Sequence, residues 1–372
     1  MKIKPHIKDI YTPFITEDKI VFGTMAEAIE IDNDDEDICD LVKLLAGDYT
    51  LDEIYLQSKL SKENIDEIIQ QFDELNLIEN MQVDTQSVNT DRYKTNLNYF
   101  SFYGNLQVSA YEFQSRLNRA TVALLGIGGS TLTALNLVGM GVGKIIIVDY
   151  DTIELSNLSR QLIFTEDDIG LLKVDAAKRK LQQINGDVEI ITHNMKVVNS
   201  SDLSHIIAES DIVINSIDTP PIQAARWVNY VCMQSNKVLI QGGLTANSMV
   251  LDVFSKDTGC YDCFLLASMQ TDSNFEKQLK FVLSSNFENV NTSFAPNVSM
   301  LTGIITSEAT RLITGYQPRL INNMCVAFSV SDFSSRFINS HVKQAACPTC
   351  GQIHSIGEPV DIERLIELAK TL

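Results

Sequence analysis

TVALLGIGGSTLTALNLVGM, Thr121–Met140, is the stretch on which the fold turns. An apolar run ends in Gly126-Ile127-Gly128-Gly129, and helical spacing of apolar residues follows from Leu132 to Met140. A strand, a glycine turn and a helix in that order let the backbone approach an anion, with free N–H groups and the positive end of the helix dipole facing it. Glycines kept only for helix–strand packing would give the same pattern, so the loop alone leaves both readings open.

Outward from this turn the chain alternates. Ala123–Leu125, Lys144–Asp149, Val188–Thr192, Asp211–Asn215 and Lys237–Gln241 are runs rich in Val and Ile. Helical patterns lie between them at Leu132–Met140, Gly170–Asn185, Asp202–Glu209 and Pro220–Gln234. That order predicts an α/β fold, a Rossmann-like, doubly wound and mainly parallel sheet with helices on both faces. Met249–Phe254 and Asn322–Phe337 read as antiparallel strands added to it, and no internal repeat is present.

The first quarter has another character. Short alternating pieces between Asp9 and Ile31 suggest two or three small strands. Asp34–Ala46 carries Ile38, Leu41, Val42, Leu44 and Leu45 at helical spacing; Thr50 with Glu53 forms a capping box, and Ser61 opens a third helix through Leu75. Small strands and three short helices suggest a winged-helix-like α+β domain over residues 1–85, followed by a polar linker, Asn80–Asp91, and a second domain over 86–372.

With 372 residues, 45% of them apolar, the chain has material for two soluble domains. No apolar run is long enough for a membrane helix, since Asn297–Thr314 is broken by Glu308 and Arg311, and the start MKIKPHIKDI lacks the apolar centre of a signal peptide. A cytoplasmic protein is expected. The net charge is −19, and residues 1–85 hold 7 Lys and Arg against 21 Asp and Glu. Such a field disfavours nucleic acid and anionic membranes and suits a cationic peptide paired along a strand edge, although an acidic face that only aids solubility fits as well.

After the glycine turn, the next strand ends in Val148-Asp149-Tyr150-Asp151, where the Asp149 carboxylate is placed to accept hydrogen bonds from ribose hydroxyls. SNLSRQ (Ser156–Gln161) and DIGLLK (Asp168–Lys173) then bring an amide, a guanidinium and an ammonium close behind the turn. Phosphoryl chemistry uses that set. Arg160 can grip two non-bridging oxygens, and Lys173 can neutralise charge on a leaving pyrophosphate. Either could instead be an exposed helix charge. Asp218 in NSIDTPP stands at a strand end where a magnesium ligand is wanted.

Cys260/Cys263 and Cys347/Cys350 form two Cys-x-x-Cys pairs, which suit a closed, structural tetrahedral zinc site; redox dithiols or chance pairs remain open. Cys39, Cys232 and Cys325 read as core residues.

GIGG, VDYD, SNLSRQ, DIGLLK, NSID and the paired cysteines, in this order over about Asp91–Gln352, resemble the ubiquitin-activating-like family that includes the ThiF, MoeB and HesA adenylyltransferases. Within it, DRYKTNLNYFSFYG (Asp91–Gly104), TGCYDC (Thr258–Cys263), the helical segment Phe275–Asn286 and SFAPNVSML (Ser293–Leu301) are similar to the MccB-like, microcin C-type peptide-adenylating subgroup. The resemblance implies an amino-terminal peptide clamp, a homodimer, and transfer of a nucleotide from ATP or another nucleoside triphosphate, with magnesium, to the carboxy-terminal end of a short precursor peptide. It also implies roles: Gly126, Gly128 and Gly129 with Asp151 around the nucleotide, Asp149 at the ribose, Asn157, Arg160, Gln161 and Lys173 at the triphosphate, and Asp218 at magnesium. Two departures mark this chain. Thr131 stands where the family's loop has a further glycine, close to the expected phosphates, and Arg92-Tyr93-Lys94-Thr95 has Thr where the family carries a second arginine that reaches into the partner subunit. A catalytically silent member that presents a leader peptide to a modifying enzyme is the competing expectation.

Overall fold

The computed structural model describes residues 3–24, 28–33, 36–81, 88–245, 247–284, 290–321, 324–340, 342–352 and 357–371. It divides into two compact units, Met1–Asn118 with Thr314–Gln317, and Arg119–Ile313 with Pro318–Leu372.

In the first unit β1 (Pro5–Ile7), β2 (Pro13–Ile15), β3 (Lys19–Phe22) and β4 (Ile29–Asp32) precede α1 (Glu36–Leu45), α2 (Leu51–Gln57) and α3 (Lys62–Glu74), and β5 (Ile78–Asn80) follows. The strands β2, β3 and β4 make an antiparallel sheet, while β1 pairs antiparallel with β5. Local signals set the helices. Thr50 and Glu53 form the expected capping box at α2, and the Ser61 hydroxyl accepts the Asn64 N–H at the start of α3. The three helices bury Leu41, Val42, Leu45, Ile54, Ile65, Ile69 and Phe72 against Ile20 and Phe22. Phe22 and Phe72 meet edge to face at 5.4 Å. Lys8 is fully buried; its ammonium donates to the backbone and side-chain oxygens of Asn76, whose φ is 60°, and burial pushes it down to about 8.

The expected linker is shorter than the sequence suggests. Asn80 belongs to β5 and α4 (Thr90–Ser101) starts at Thr90, because the Asn89 side chain caps it by accepting the Arg92 N–H. Residues 82–87 of that stretch lie outside the described residues. The helix α5 (Ala110–Arg119) then leads to the sheet.

The second unit holds β6 (Thr121–Leu125), α6 (Thr131–Met140), β7 (Lys144–Asp149), α7 (Lys173–Ile184), β8 (Glu189–Asn194), α8 (Ser204–Glu209), β9 (Ile212–Asn215), α9 (Gln223–Gln234), β10 (Val238–Leu244) and β11 (Ser248–Phe254). It continues with α10 (Tyr261–Thr271), α11 (Phe275–Val282), α12 (Ala295–Thr314), β12 (Met324–Ser329), β13 (Ser335–Ser340) and α13 (Ile362–Thr371). The sheet order is β13-β12-β11-β10-β9-β6-β7-β8, with β10-β9-β6-β7-β8 parallel and the other pairs antiparallel. This is the Rossmann-like, mainly parallel sheet with added antiparallel strands. From β6 the chain winds outward through β7 and β8, then returns to β9 on the other side of β6. Open α/β sheets bind ligands at the carboxyl ends of the strands at such a reversal.

One expected boundary moves. Gly170–Leu172 is a turn and a bridge rather than helix, since Gly170 has a left-handed φ of 86°, Leu172 bridges Thr152, and α7 begins only at Lys173. No helix among the described residues is long and apolar enough to cross a membrane.

Candidate active site

The carboxyl ends of β6, β7, β9 and β10 open into a cavity of about 620 Å³. Its lining includes every nucleotide-site residue expected from the sequence, namely Gly126, Gly128, Gly129, Asp149, Asp151, Asn157, Arg160, Gln161, Lys173 and Asp218.

Close packing explains the loop's glycines. Gly126 has a φ of 84°, and a Cβ there would lie 2.9 Å from the Ser216 carbonyl, so no other residue fits between the two strand ends. A Cβ on Gly128 would lie 3.0 Å from Gln161 Nε2 and 3.6 Å from Lys173 Nζ. The loop therefore meets the amide and the ammonium where the sequence expected phosphates. Thr131, the first residue of α6, is fully buried and is not among the residues that line the cavity. The side chain points into the packed interior, and its hydroxyl has no partner there.

Asp149 braces the turn. Its Oδ2 accepts the Ile127 N–H and its Oδ1 the Asp151 N–H, both at 2.9 Å, and a carboxylate keeps lone pairs beyond these two for a ligand. Asp151 is the counter-ion of Lys173, with Oδ2 2.8 Å from Nζ; the ammonium is only 7% exposed. A buried cation needs such a partner, and a polyanion entering beside it gains from a charge already stripped of water.

Asn157 organises the segment that carries the guanidinium. Its Oδ1 accepts the Glu154 N–H at 3.1 Å, while its carbonyl accepts the Arg160 and Gln161 N–H groups. Arg160 lines the cavity and donates through Nη1 to the Ser156 carbonyl at 2.9 Å. Gln161 is 5% exposed, and its Oε1 is buried without a partner. Asp168 anchors the next turn: its carboxylate pairs with Arg179 and Lys180 and accepts the Thr165 N–H and hydroxyl. Burial pushes this carboxyl up, but the Lys180 hydrogen bond and the Thr165 contacts outweigh it and hold it at about 2.

Asp218 is exposed at the cavity's edge, where its Oδ1 accepts the Thr219 hydroxyl at 3.1 Å. An open carboxylate of this kind suits magnesium, which keeps most of its water. Beside it Ile222, a β-branched residue, holds a φ of 63°. Such a conformation is strained and characteristic of functional sites.

Several wall residues were not legible from motifs. Asn215 and Gln241 come from the ends of β9 and β10, Gly242–Leu244 extend that edge, and Val298, Leu301 and Ile305 close the cavity from α12. NSID marked the position of Asn215 without marking its partner, which strand register alone supplies.

The four cysteines come together. Cys260, Cys263, Cys347 and Cys350 are buried with their sulfurs within 4.8 Å of one another. Separations of 3.6 Å (Cys260–Cys347), 3.4 Å (Cys263–Cys350) and 4.0 Å (Cys260–Cys263) bracket the edge of about 3.8 Å that four zinc–sulfur bonds of about 2.3 Å require. The Gln344 N–H points at Cys263 Sγ at 3.4 Å. The donor set fits a closed metal site. Arg92 and Thr95, the positions of the family's paired arginines, lie exposed with Lys94 in the first turns of α4.

Compared with known protein families, residues 93–349 match the ThiF family. Among curated proteins the chain is similar to adenylyltransferase and sulfurtransferase MOCS3 of Culex quinquefasciatus, 28% identical over 264 residues, covering 69% of this chain and 56% of that protein. It is also similar to ubiquitin-like modifier-activating enzyme 5 of Drosophila ananassae, 34% identical over 171 residues and covering 42% of each. The chain thus spans about half the length of the curated relatives it matches. Among solved structures, E. coli MccB superposes with a TM-score of 0.72 at 22% identity, covering 96% of this chain and 99% of that one. The fold is shared with that protein, which has been seen with ATP and with MccA.

Proposed function

The chain belongs to the ThiF family, and we propose that it is a nucleotidyltransferase acting on the carboxyl terminus of a short precursor peptide. The observation that carries this reading is the gathering of Gly128, Asp149, Arg160, Gln161, Lys173 and Asp218 around one cavity at the sheet's reversal point. A presenter of leader peptides has no need of this set.

In the proposed reaction a terminal carboxylate oxygen of the peptide attacks the α-phosphorus of a nucleoside triphosphate. A phosphorus–oxygen bond forms, the bond to the bridging oxygen breaks, and pyrophosphate leaves with the electron pair. The nucleophile is supplied by the substrate. Asp149 accepts from the ribose hydroxyls, the Arg160 fork binds non-bridging oxygens as charge develops, and Lys173 neutralises the departing pyrophosphate. Magnesium, held through Asp218, would add charge neutralisation when bound. Zinc in the four-cysteine group would be structural, since no coordination position is left for substrate.

The acidic first unit, with its edge strands β2 and β4, is the proposed clamp for a peptide of opposite charge. A homodimer is proposed as well. Leu155, Leu162, Ile169 and Leu171, between β7 and α7, are 68%, 53%, 45% and 41% exposed, an apolar surface suited to a second copy. The cytoplasm, where free thiols persist, is the proposed compartment.

The test is to incubate the protein with magnesium, each nucleoside triphosphate and candidate peptides, and to follow pyrophosphate and a peptide mass gain of one nucleotide. Turnover is expected, and Arg160→Ala should abolish it with the fold intact. No turnover with any triphosphate, from a protein that still binds peptide, would sink the enzyme reading.

A further inference from the structure

Gln241 and Asp252 stand directly opposite one another in the antiparallel pair β10–β11, and Gln241 stands beside Asn215 in the parallel pair β10–β9. Paired positions share a face of the sheet, so the three polar side chains form one row. At its inner end Asn215 Nδ2 donates to Gln241 Oε1 at 3.2 Å, and Asn215 Oδ1 accepts the Ile217 N–H at 3.0 Å. Gln241 is thereby linked to the turn that carries Ser216 and Asp218 in the cavity wall. At the outer end the row is incomplete. Asp252 Oδ1 is buried without a hydrogen-bond partner, and Gln241 Nε2 donates to nothing among the described residues.

The surroundings leave Asp252 without a cation. Cys325, its partner in β12, hydrogen-bonds to the carboxyl, and the Tyr261 phenol of α10 is raised by burial first, then by the charges of Asp252 and of Asp262 of α10, against Arg226 of α9. Arg226 binds Asp262 through Nε and Nη2, while its Nη1 is buried without a partner; no ion pair joins it to Asp252 among the described residues. Burial pushes the Asp252 carboxyl up to about 7, with the Cys325 hydrogen bond working against it. A carboxylate formed in this place needs a donor, and the opposite Gln241 amide is available.

We propose that Asp252 is a positioning residue whose ionisation draws the Gln241 amide across the strand pair, releases Asn215 and loosens the Ser216–Asp218 turn. The neutral acid is the state that holds the cavity wall for a nucleotide. The link to nucleotide rests on the proposed nucleotidyl transfer; the link between Asp252 and Gln241 does not.

Two readouts separate them. In the full-length protein labelled at glutamine nitrogen, the Gln241 side-chain amide resonances, assigned with Gln241→Met, are expected to titrate with a midpoint near about pH 7 and to stay fixed in Asp252→Asn. Magnesium–ATP affinity, measured by calorimetry between about pH 6 and about pH 8.5, is expected to fall about tenfold in the wild type beyond the change seen in Asp252→Asn, which carries the same titration of ATP. Gln241→Met should lose the same excess. A Gln241 amide indifferent to pH overturns the relay, as does a Gln241→Met protein that keeps the excess. Resonances that titrate in a protein that binds no ATP at any pH uphold the relay and overturn the nucleotidyl-transfer reading.

Discussion

Thr131 and Thr133 are fully buried in the first turn of α6, and neither hydroxyl finds a partner. An orphaned buried hydroxyl costs more than a methyl of the same shape in the same place. Thr131→Val is therefore expected to raise stability by about 1 kcal/mol, read as a shift of the denaturant midpoint at constant slope. Because Thr131 does not line the cavity, magnesium–ATP affinity should be unchanged. A loss of affinity on this substitution would place Thr131 at the phosphates after all. The residues that carry the site's charge work in pairs. Lys173 is held by Asp151, and Asp149 by the backbone it braces, so the polar floor of the cavity is already oriented.

The element that matters most to the site is the segment between β7 and α7, which carries Asn157, Arg160 and Gln161 with little regular structure of its own. Asp168 ties it down through Thr165, Lys180 and Arg179. Asp168→Asn removes both ion pairs from a side chain that is 1% exposed, and is expected to cost about 2 kcal/mol and to weaken ATP binding by misplacing the fork of Arg160. The sign in pH follows from the depressed carboxyl. Its contribution is complete above the unfolded value of about 4 and is lost as pH falls toward about 2, so wild type and Asp168→Asn should converge in stability across that window. Elements of this kind were legible where local chemistry fixes them. The strand Lys144–Asp149 and the Thr50–Glu53 cap stand where the residues place them, because an apolar run and a side-chain cap act within a few positions. The pairing of β1 with β5 was not legible, since three-residue strands carry no periodicity. Nor was the row Asn215–Gln241–Asp252, which exists only through the register of three paired strands. The site's motifs could be read because each is a short contiguous stretch of sequence, whereas the back wall on α12 depends on how a distant helix covers the sheet.

At the scale of the molecule, two buried devices hold the final segment of the chain to the second unit. In one, Arg226 Nε donates to Asp262 Oδ1 at 2.8 Å and Nη2 to the Val360 carbonyl at 2.7 Å, while the Thr349 hydroxyl donates to Asp262 Oδ2 at 2.6 Å. The other is the four-cysteine group, which joins residues 87 positions apart within the core that also contains Leu365. Burial raises Cys260 well above the ordinary thiol range, and four thiolates in so small a space are compatible only with a cation among them. The purified protein is accordingly expected to contain about one zinc per chain by elemental analysis. Chelation or Cys347→Ser should remove it and lower the melting temperature by several degrees, because metal binding to a site absent from the unfolded chain is folding free energy. At temperatures where the stripped protein remains folded, ATP affinity should persist, since none of the four cysteines lines the cavity. A protein that yields no metal and melts at the same temperature after chelation would make these thiols packing residues, and the Arg226–Asp262 pair would then be the cross-link that holds the carboxy-terminal segment.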